Sequence, residues 1–217
     1  MPVPAYLTQL LSDRPDLKSH SGPVRLKCQL IGELNFPSGR LVACDIMMSG
    51  DSLAFKQAVP PGRYPVFLSD ITLSDGDEQT AAAWLRFSDA TPVRWDFARW
   101  DSRKQVKEPA YIVDSGMGAF MSLEAAPLID ACGESLTDEV YAAMDKEPYP
   151  GWVILPVPGA EHLNFAVFSP GLGDGVYASY WGFDANDTPV CLLTDFDVLG
   201  LPDEAEPAVA KPWWRIW

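Results

Sequence analysis

The sequence predicts an α+β protein built mostly from antiparallel β sheets, with two or three short helices and a tryptophan-rich C-terminal tail. The chain of 217 residues contains 20 prolines and 16 glycines, and so many turn-forming residues are typical of a fold with many short strands. Most apolar runs are short and end at such residues, whereas only two stretches have the apolar spacing of a helix. A hydrophobic content of 47% is typical of a chain with a packed core.

Strands are predicted wherever an apolar or alternating run lies between turn residues. A short amphipathic stretch at 6–11 precedes them, and we expect it to cover one edge of the domain. A Pro-Gly turn over 59–66 leads into a further strand, and the acidic stretch 69–79 is predicted to be an exposed hairpin connection. The remaining predicted strands are, in chain order, 24–34, 41–45, 81–87, 92–98, 111–113, 152–157, 163–168, 176–183 and 190–196.

Two helices are predicted, at 122–132 and at 136–146, because apolar residues recur there on one face. In front of the second, Ser135 stands three residues before Asp138, an arrangement related to the capping box. Prolines and a glycine in 147–151 end this helix.

Residues 1–200 are predicted to form a single β-rich domain. Residues 201–217 are predicted to be an acidic linker and a tail that contains Trp213, Trp214 and Trp217. Three tryptophans on a free tail would expose a large apolar surface. We therefore expect them to pack either on their own domain or on a partner.

The net charge of −14 is concentrated in the second half of the chain. Residues 1–110 hold 13 basic and 13 acidic side chains, whereas residues 111–217 hold 3 basic and 17 acidic ones. Such a half repels phosphate backbones, which argues against nucleic-acid binding, and attracts a basic protein surface or a cation. The alternative is a solvated acidic face that keeps the protein soluble.

The location is predicted to be the cytoplasm, with no membrane contact. The chain starts without a basic region followed by an apolar run, and it contains no apolar stretch of membrane-spanning length. Cys28, Cys44, Cys132 and Cys191 are widely spaced, which favours reduced thiols over a zinc or redox motif.

Familiar catalytic arrangements are missing from the sequence. Histidine occurs only at His20 and His162, so a Ser-His-Asp or Cys-His site would have to use one of them. There is no nucleophile elbow and no phosphate-binding loop. No cofactor is predicted.

Aspartates recur at the ends of apolar runs and in glycine turns. They are Asp45, Asp114, Asp174, Asp184 and the pair Asp195 and Asp197. If these strands lie side by side, the carboxylates converge on one rim that can hold Mg²⁺ or Ca²⁺ and activate water. In that case the metal ligands are Asp114, Asp174 and Asp195. The alternative is that each aspartate accepts hydrogen bonds from backbone amides of its own turn.

Several motifs occur together in a fixed order along the chain. They are Leu41-Val42-Ala43-Cys44-Asp45, Val59-Pro60-Pro61-Gly62-Arg63-Tyr64-Pro65-Val66, Val113-Asp114-Ser115-Gly116, Gly173-Asp174-Gly175-Val176-Tyr177 and Thr194-Asp195-Phe196. From 41 to 196 the chain resembles the bacterial family catalogued as domain of unknown function 4241. The resemblance implies a cytoplasmic bacterial protein with a β-rich α+β domain, and it implies no established activity.

The predicted function is that of a non-enzymatic acidic binding protein. In size and acidity the family is similar to immunity proteins, so the most concrete prediction is an immunity protein that neutralises a basic bacterial toxin by covering its positively charged site. The predicted partner-binding residues are Asp174, Tyr177, Tyr180, Trp181 and Asp184. Aromatic residues dominate interface energetics, although simple core packing is the alternative for these rings. Two other functions stay open: a metal-dependent hydrolase that uses the aspartate rim, and a structural or regulatory module with a small-molecule pocket.

Overall fold

The computed structural model describes residues 3–19, 22–102, 109–147 and 150–199. Within these residues the chain forms two antiparallel sheets, two α-helices and two 3-10 helices. The strands are β1 (Arg14–Ser19), β2 (Gly22–Phe36), β3 (Leu41–Asp45), β4 (Gly62–Thr72), β5 (Glu78–Arg86), β6 (Arg94–Phe97), β7 (Ala110–Val113), β8 (Gly118–Ser122), β9 (Trp152–Val157), β10 (Ala160–Phe168), β11 (Gly175–Phe183) and β12 (Pro189–Asp195). The first 3-10 helix is Leu7–Leu11, the second is Ile46–Asp51, α1 is Ala126–Cys132 and α2 is Glu134–Met144.

The larger sheet has the order β1-β2-β4-β5-β12-β11. Its outer strand β11 pairs with two short strands, β6 along its second half and β7 along its first half. The smaller sheet has the order β3-β8-β10-β9. The predicted antiparallel, β-rich α+β class is therefore confirmed for the described part of the chain. The tail predicted at 201–217 lies outside the described residues.

The main core lies between the two sheets. Large buried side chains from both sheets meet there, among them Phe36, Phe120, Phe168, Trp181 and Phe196. Ring contacts join several of these side chains: Phe120 meets Phe168 edge to face at 5.1 Å between ring centroids, and Phe168 lies 5.8 Å from Phe196. Burial of this much aromatic surface is the main contribution that holds the sheets together.

The outer face of the smaller sheet is covered by α1 and α2. Ile129, Leu136 and Val140 of these helices pack on strand residues such as Met121 and Phe165. Because both faces of the smaller sheet are buried, β8 is buried at all five positions. Such a strand shows no alternation of apolar and polar residues, which explains why the sequence did not predict β8.

The outer face of the larger sheet is covered by the first 3-10 helix. Leu7 and Leu10 are fully buried there and pack with Trp84, Tyr180 and Leu193. The amphipathic stretch 6–11 thus covers a face of the larger sheet, whereas the prediction placed it at one edge of the domain. The described residues form four layers: a 3-10 helix, the larger sheet, the smaller sheet and the α-helices.

Two local predictions are wrong. The helix α2 begins at Glu134 directly after Gly133 and has no side-chain cap, so Ser135 and Asp138 do not form a capping box. The hairpin predicted over 69–79 is present, but its connection is wrong in extent and covers only 73–77, because β4 continues to Thr72 and β5 begins at Glu78. All four cysteines are free, as predicted. None of the helices in the described residues is both long and apolar enough to cross a membrane.

Candidate functional site

Motifs that lie far apart in the sequence meet at one corner of the structure. β3 ends at Asp45, which is only 1% exposed. Its Oδ2 accepts hydrogen bonds from the backbone N–H groups of Asp114 (2.8 Å) and Ser115 (2.9 Å). Its Oδ1 accepts from the backbone N–H of Met47 (2.8 Å) and from the Ser115 hydroxyl (2.7 Å). Four donors use the full accepting capacity of a carboxylate, so Asp45 fixes the loop after β7 to the end of β3.

Asp174 attaches a third motif to the same loop. Its Oδ1 accepts a hydrogen bond from the backbone N–H of Gly116 at 2.9 Å. Gly173 has a φ of +70°, a conformation that favours glycine. A Cβ on Gly175 would lie 2.8 Å from the ring end of Tyr177, so a larger residue at 175 would force that buried ring to shift. We call Asp45, 114–116 and 173–175 the motif corner.

Directly beside the motif corner, a pair of apolar side chains faces the solvent. Ile112 of β7 and Val176 of β11 lie directly opposite each other in the sheet, and they are 58% and 66% exposed. Leu172 is also exposed, as are the carboxylates of Asp114 and Asp174. The corner therefore presents a small surface on which apolar side chains lie next to acidic ones.

The three predicted aromatic anchors lie inside the protein. Tyr177, Tyr180 and Trp181 are 3%, 5% and 2% exposed. Tyr177 and Trp181 belong to the core between the sheets, whereas Tyr180 packs under the first 3-10 helix. This placement agrees with the core-packing alternative, and in this conformation none of the three rings offers a partner more than a few per cent of its surface.

Asp174 and Asp184 lie at opposite ends of β11. The nine residues of β11 lie between them, which places the two positions about 33 Å apart. Asp184 Oδ1 accepts hydrogen bonds from the backbone N–H groups of Asn186 (2.8 Å) and Thr188 (2.9 Å), and the bond from Thr188 is the main cause of a lowered pKa of Asp184. Asp184 thus stabilises its own turn, as the turn alternative predicted, and it does not join Asp174 in one surface patch.

The three predicted metal ligands are not brought together. Asp114 and Asp174 belong to the motif corner, but Asp195 is buried, and its carboxylate accepts a hydrogen bond from the hydroxyl of Tyr6 at 2.6 Å. A second hydrogen bond comes from the backbone N–H of Asp197 at 3.1 Å. In the part of the chain that the structure describes, no three His, Cys, Asp or Glu side chains form a group able to hold a metal ion.

The buried carboxyl of Asp195 predicts an unusual pH dependence of stability. Burial raises its pKa from 3.8 to about 6, so the folded protein holds this proton more tightly than the unfolded chain does. The stability that the protonated form contributes is present below about pH 4 and is lost as the pH rises through about 6, a change of about 3 kcal/mol in the free energy of unfolding.

We expect Asp195→Asn to remove the contribution of Asp195 to this dependence, because the amide does not titrate, whereas the pKa of Asp70, also raised to about 6 by burial, stays in both proteins. Roughly 1.5 kcal/mol of the change falls between about pH 5 and about pH 7.5, above the sequence pI of 4.4. Urea denaturation at these two pH values measures it in the wild type, in Asp195→Asn and in the exposed control Asp114→Asn. The same pH dependence in wild type and Asp195→Asn would contradict the assignment.

A groove that the sequence did not predict lies between the second 3-10 helix and the two α-helices. It has a volume of about 240 Å³ and is lined by Ile46, Met47, Ile129, Asp130, Glu134 and Thr137, among others. Met47 at its edge is 48% exposed, and the Thr137 hydroxyl contacts its sulfur at 3.4 Å. We call this feature the acidic groove, because its apolar walls carry two carboxylates. The groove adjoins the motif corner, since Met47 donates its N–H to Asp45.

The exposed surface of α2 continues the acidic groove outward. Glu134, Asp138, Tyr141 and Asp145 are all exposed, and their spacing of i, i+4, i+7 and i+11 places them along one face. Leu128 of α1 is exposed near the same helices. The sequence contained one signal for this surface, the excess of acidic residues in 123–147. It did not reveal that the methionines after Asp45 lie beside them.

The fold and the motif corner define a class: two stacked antiparallel sheets with a helical layer, in which an aspartate at a strand end ties distant glycine turns together. A search among curated proteins and a search among solved structures both found no match. The family model described as "Protein of unknown function (DUF4241)" matches residues 34–194. This is more than half of the chain, which therefore belongs to that family, as its motifs indicated.

Proposed function

We propose that this protein is a non-enzymatic binding protein that uses its acidic groove to bind a basic protein partner. In its most concrete form, the partner is a basic toxin of bacterial origin, met in the cytoplasm, and this protein is the immunity protein that covers the toxin's positively charged site. The observation that carries the proposal is the acidic groove itself, in which exposed apolar side chains lie next to carboxylates on the acidic half of the chain.

The chemistry of the acidic groove suits a long basic side chain. Lysine and arginine have aliphatic stems that pack on apolar surface and cationic ends that need an anion. In the groove, the stem would lie against Met47 and Ile129, and the cation would meet Asp130 or Glu134. A volume of about 240 Å³ leaves room for one or two such side chains. Tyr141 and Leu128 at the rim offer further apolar contact, since interfaces combine an apolar centre with polar surroundings.

Long-range electrostatics favours the same partner. The chain carries a net charge of −14, and Lys146 is the only lysine or arginine in the 111–199 part of it. A field of one sign accelerates encounter with an oppositely charged protein and excludes partners of like charge. This part of the attraction is screened by salt, whereas apolar contacts in the groove are not.

The test is a pull-down with the full chain at low and at high salt, followed by identification and purification of the captured protein. The proposal requires a basic protein that binds as a pure pair, more weakly at high salt and equally with or without a chelator. Co-expression must also suppress the toxicity of that protein. A captured protein that is acidic, or whose binding ignores salt, contradicts the proposal.

Two charge-reversal variants locate the surface. Glu134→Lys combined with Asp138→Lys changes the face of α2 at the groove, and we expect the dissociation constant of the pure pair to rise roughly 100-fold, as for two lost charge contacts. The matched control, Asp77→Lys with Glu78→Lys, makes the same change of net charge at two exposed residues, the last of the β4–β5 turn and the first of β5. We expect it to weaken binding by less than about threefold. Equal losses in both variants would show attraction without a specific groove.

A further inference from the structure

We propose that a second cavity, on the opposite side of the molecule from the α-helices, binds a small anionic molecule with an apolar body. This cavity lies between the first 3-10 helix and the loop after β5, and it has a volume of about 540 Å³. Pockets for small ligands usually measure about 300–1,000 Å³. We call it the arginine cavity, because Arg14 and Arg86 both line it. This proposal does not depend on the proposed protein partner.

The floor of the arginine cavity is apolar and rigid. It includes Trp84 and Cys191, which are 5% and 2% exposed. The indole N–H of Trp84 donates to the hydroxyl of Ser69 at 3.0 Å, and the Trp84 ring stacks on Phe67 with centroids 4.2 Å apart. A floor held in this way does not have to reorganise when a ligand binds, which lowers the cost of binding.

The walls of the arginine cavity carry the charges. Arg86 is placed by two contacts: its guanidinium lies over the ring of Phe67 at 5.0 Å from the centroid, and its Nη1 is 3.7 Å from a carboxylate oxygen of Asp89. Asp89 is 94% exposed, so this ion pair is weak and an anion in the cavity can replace it. Arg14 lies in β1, and it makes no ion pair with the residues that the structure describes.

Local chemistry therefore points to an anion. The lining of the cavity contains two arginines and one aspartate, and guanidinium binds phosphate, sulfonate or carboxylate groups through paired hydrogen bonds. Ser12 and Thr91 also line the cavity, and a hydroxyl group can donate to the same kind of oxygen. The overall charge of −14 repels anions at long range, so the arginine cavity is a local exception to the field of the molecule. The apolar floor adds contact for an aromatic or aliphatic part of the ligand.

The test uses an anilinonaphthalene sulfonate, an aromatic anion that becomes fluorescent in apolar surroundings. We expect it to bind the full chain at one site, and we expect Arg86→Gln and Arg14→Gln each to raise its dissociation constant roughly tenfold, the effect of one lost charged hydrogen bond. The matched control is Arg63→Gln, because Arg63 is also exposed and paired with a carboxylate, at 3.6 Å from Glu33, outside the cavity. Circular dichroism checks that each variant is folded.

The outcomes separate the possibilities. Weaker binding in both cavity variants with no change in Arg63→Gln supports the arginine cavity. Unchanged binding in Arg86→Gln and Arg14→Gln, or an equal loss in all three variants, overturns it. Competition by inorganic phosphate in the wild type, and its absence in Arg86→Gln, would show that the anionic group is what the arginines recognise.

Discussion

Asp45→Ala is expected to lower the free energy of unfolding by about 4 kcal/mol, because three backbone N–H groups lose their acceptor at once. The carboxylate accepts hydrogen bonds from the N–H groups of Met47, Asp114 and Ser115, as well as from the Ser115 hydroxyl. Each buried donor left without a partner costs about 1–3 kcal/mol, and partial access of water to the loop reduces the sum. The loop after β7 would also lose its attachment to β3.

Asp45→Asn is expected to cost about half as much. The remaining carboxamide oxygen still accepts from two of the N–H groups, and the hydroxyl of Ser115 can turn to accept from the new amide, but one backbone donor stays unpaired. Thermal unfolding measures both losses, and a chain of this length loses roughly 2–4 °C per kcal/mol. Asp114→Ala is the matched control, because Asp114 belongs to the same loop but uses its backbone N–H and keeps its carboxylate exposed. A loss below about 1 kcal/mol in Asp45→Ala would show that the corner is not held by this carboxylate.

Asp45 also illustrates which features of the motif corner could be predicted from the sequence and which could not. An acid at the end of the apolar run 41–45 was recognised, and so was the glycine turn around Asp174. Their partners were not, because Asp45 binds residues about 70 positions away and no local pattern encodes such a contact. The turn alternative predicted the type of hydrogen bond correctly for Asp184, which closes its own loop.

Periodicity predicted most strands and both α-helices for a physical reason. A strand with one face in the core and one face outside alternates, and an amphipathic helix repeats every three to four residues. β8 has neither pattern, because sheet and helices cover both of its faces. β1 was missed because it begins within the turn-like sequence Ser12-Asp13-Arg14-Pro15, and its burial pattern is exposed at four of six positions.

The binding surface predicted from the sequence differs from the acidic groove proposed from the structure for a related reason. Composition gave the sign of the charge, but the position of each acidic group depends on which strands lie side by side. The aspartates at strand ends hold turns together, whereas the exposed carboxylates of α1 and α2 lie beside Met47. Aromatic residues of β11 were equally ambiguous, because a ring in a strand suits a core as well as an interface. Only the packing of the second sheet against β11 shows that Trp181 is in the core.

Trp181→Ala is expected to lower the free energy of unfolding by about 4 kcal/mol, the usual cost of removing a large buried ring. Trp181 is 2% exposed, and it packs against Phe55 and Phe87 with ring centroids 6.2 Å and 5.6 Å apart. Alanine removes both contacts and leaves a cavity between the two sheets. Because these rings join strands and loops from both halves of the core, the cavity has rigid walls and closes little.

Trp181→Phe separates the contribution of ring packing to stability from that of the indole N–H. The indole N–H is buried and has no hydrogen-bond partner among the described residues, so tryptophan carries a cost there that phenylalanine does not. We therefore expect Trp181→Phe to lose less than about 1.5 kcal/mol, since the smaller ring keeps most contacts and removes the unpaired donor. Urea denaturation of both variants measures the difference, and Val176→Ala, a truncation of an exposed side chain on the same strand, is the control. If Trp181 instead served a partner, both variants would keep the stability of the wild type and weaken the captured complex. Loss of stability in Trp181→Ala, together with unchanged partner affinity in Trp181→Phe, assigns this residue to the core.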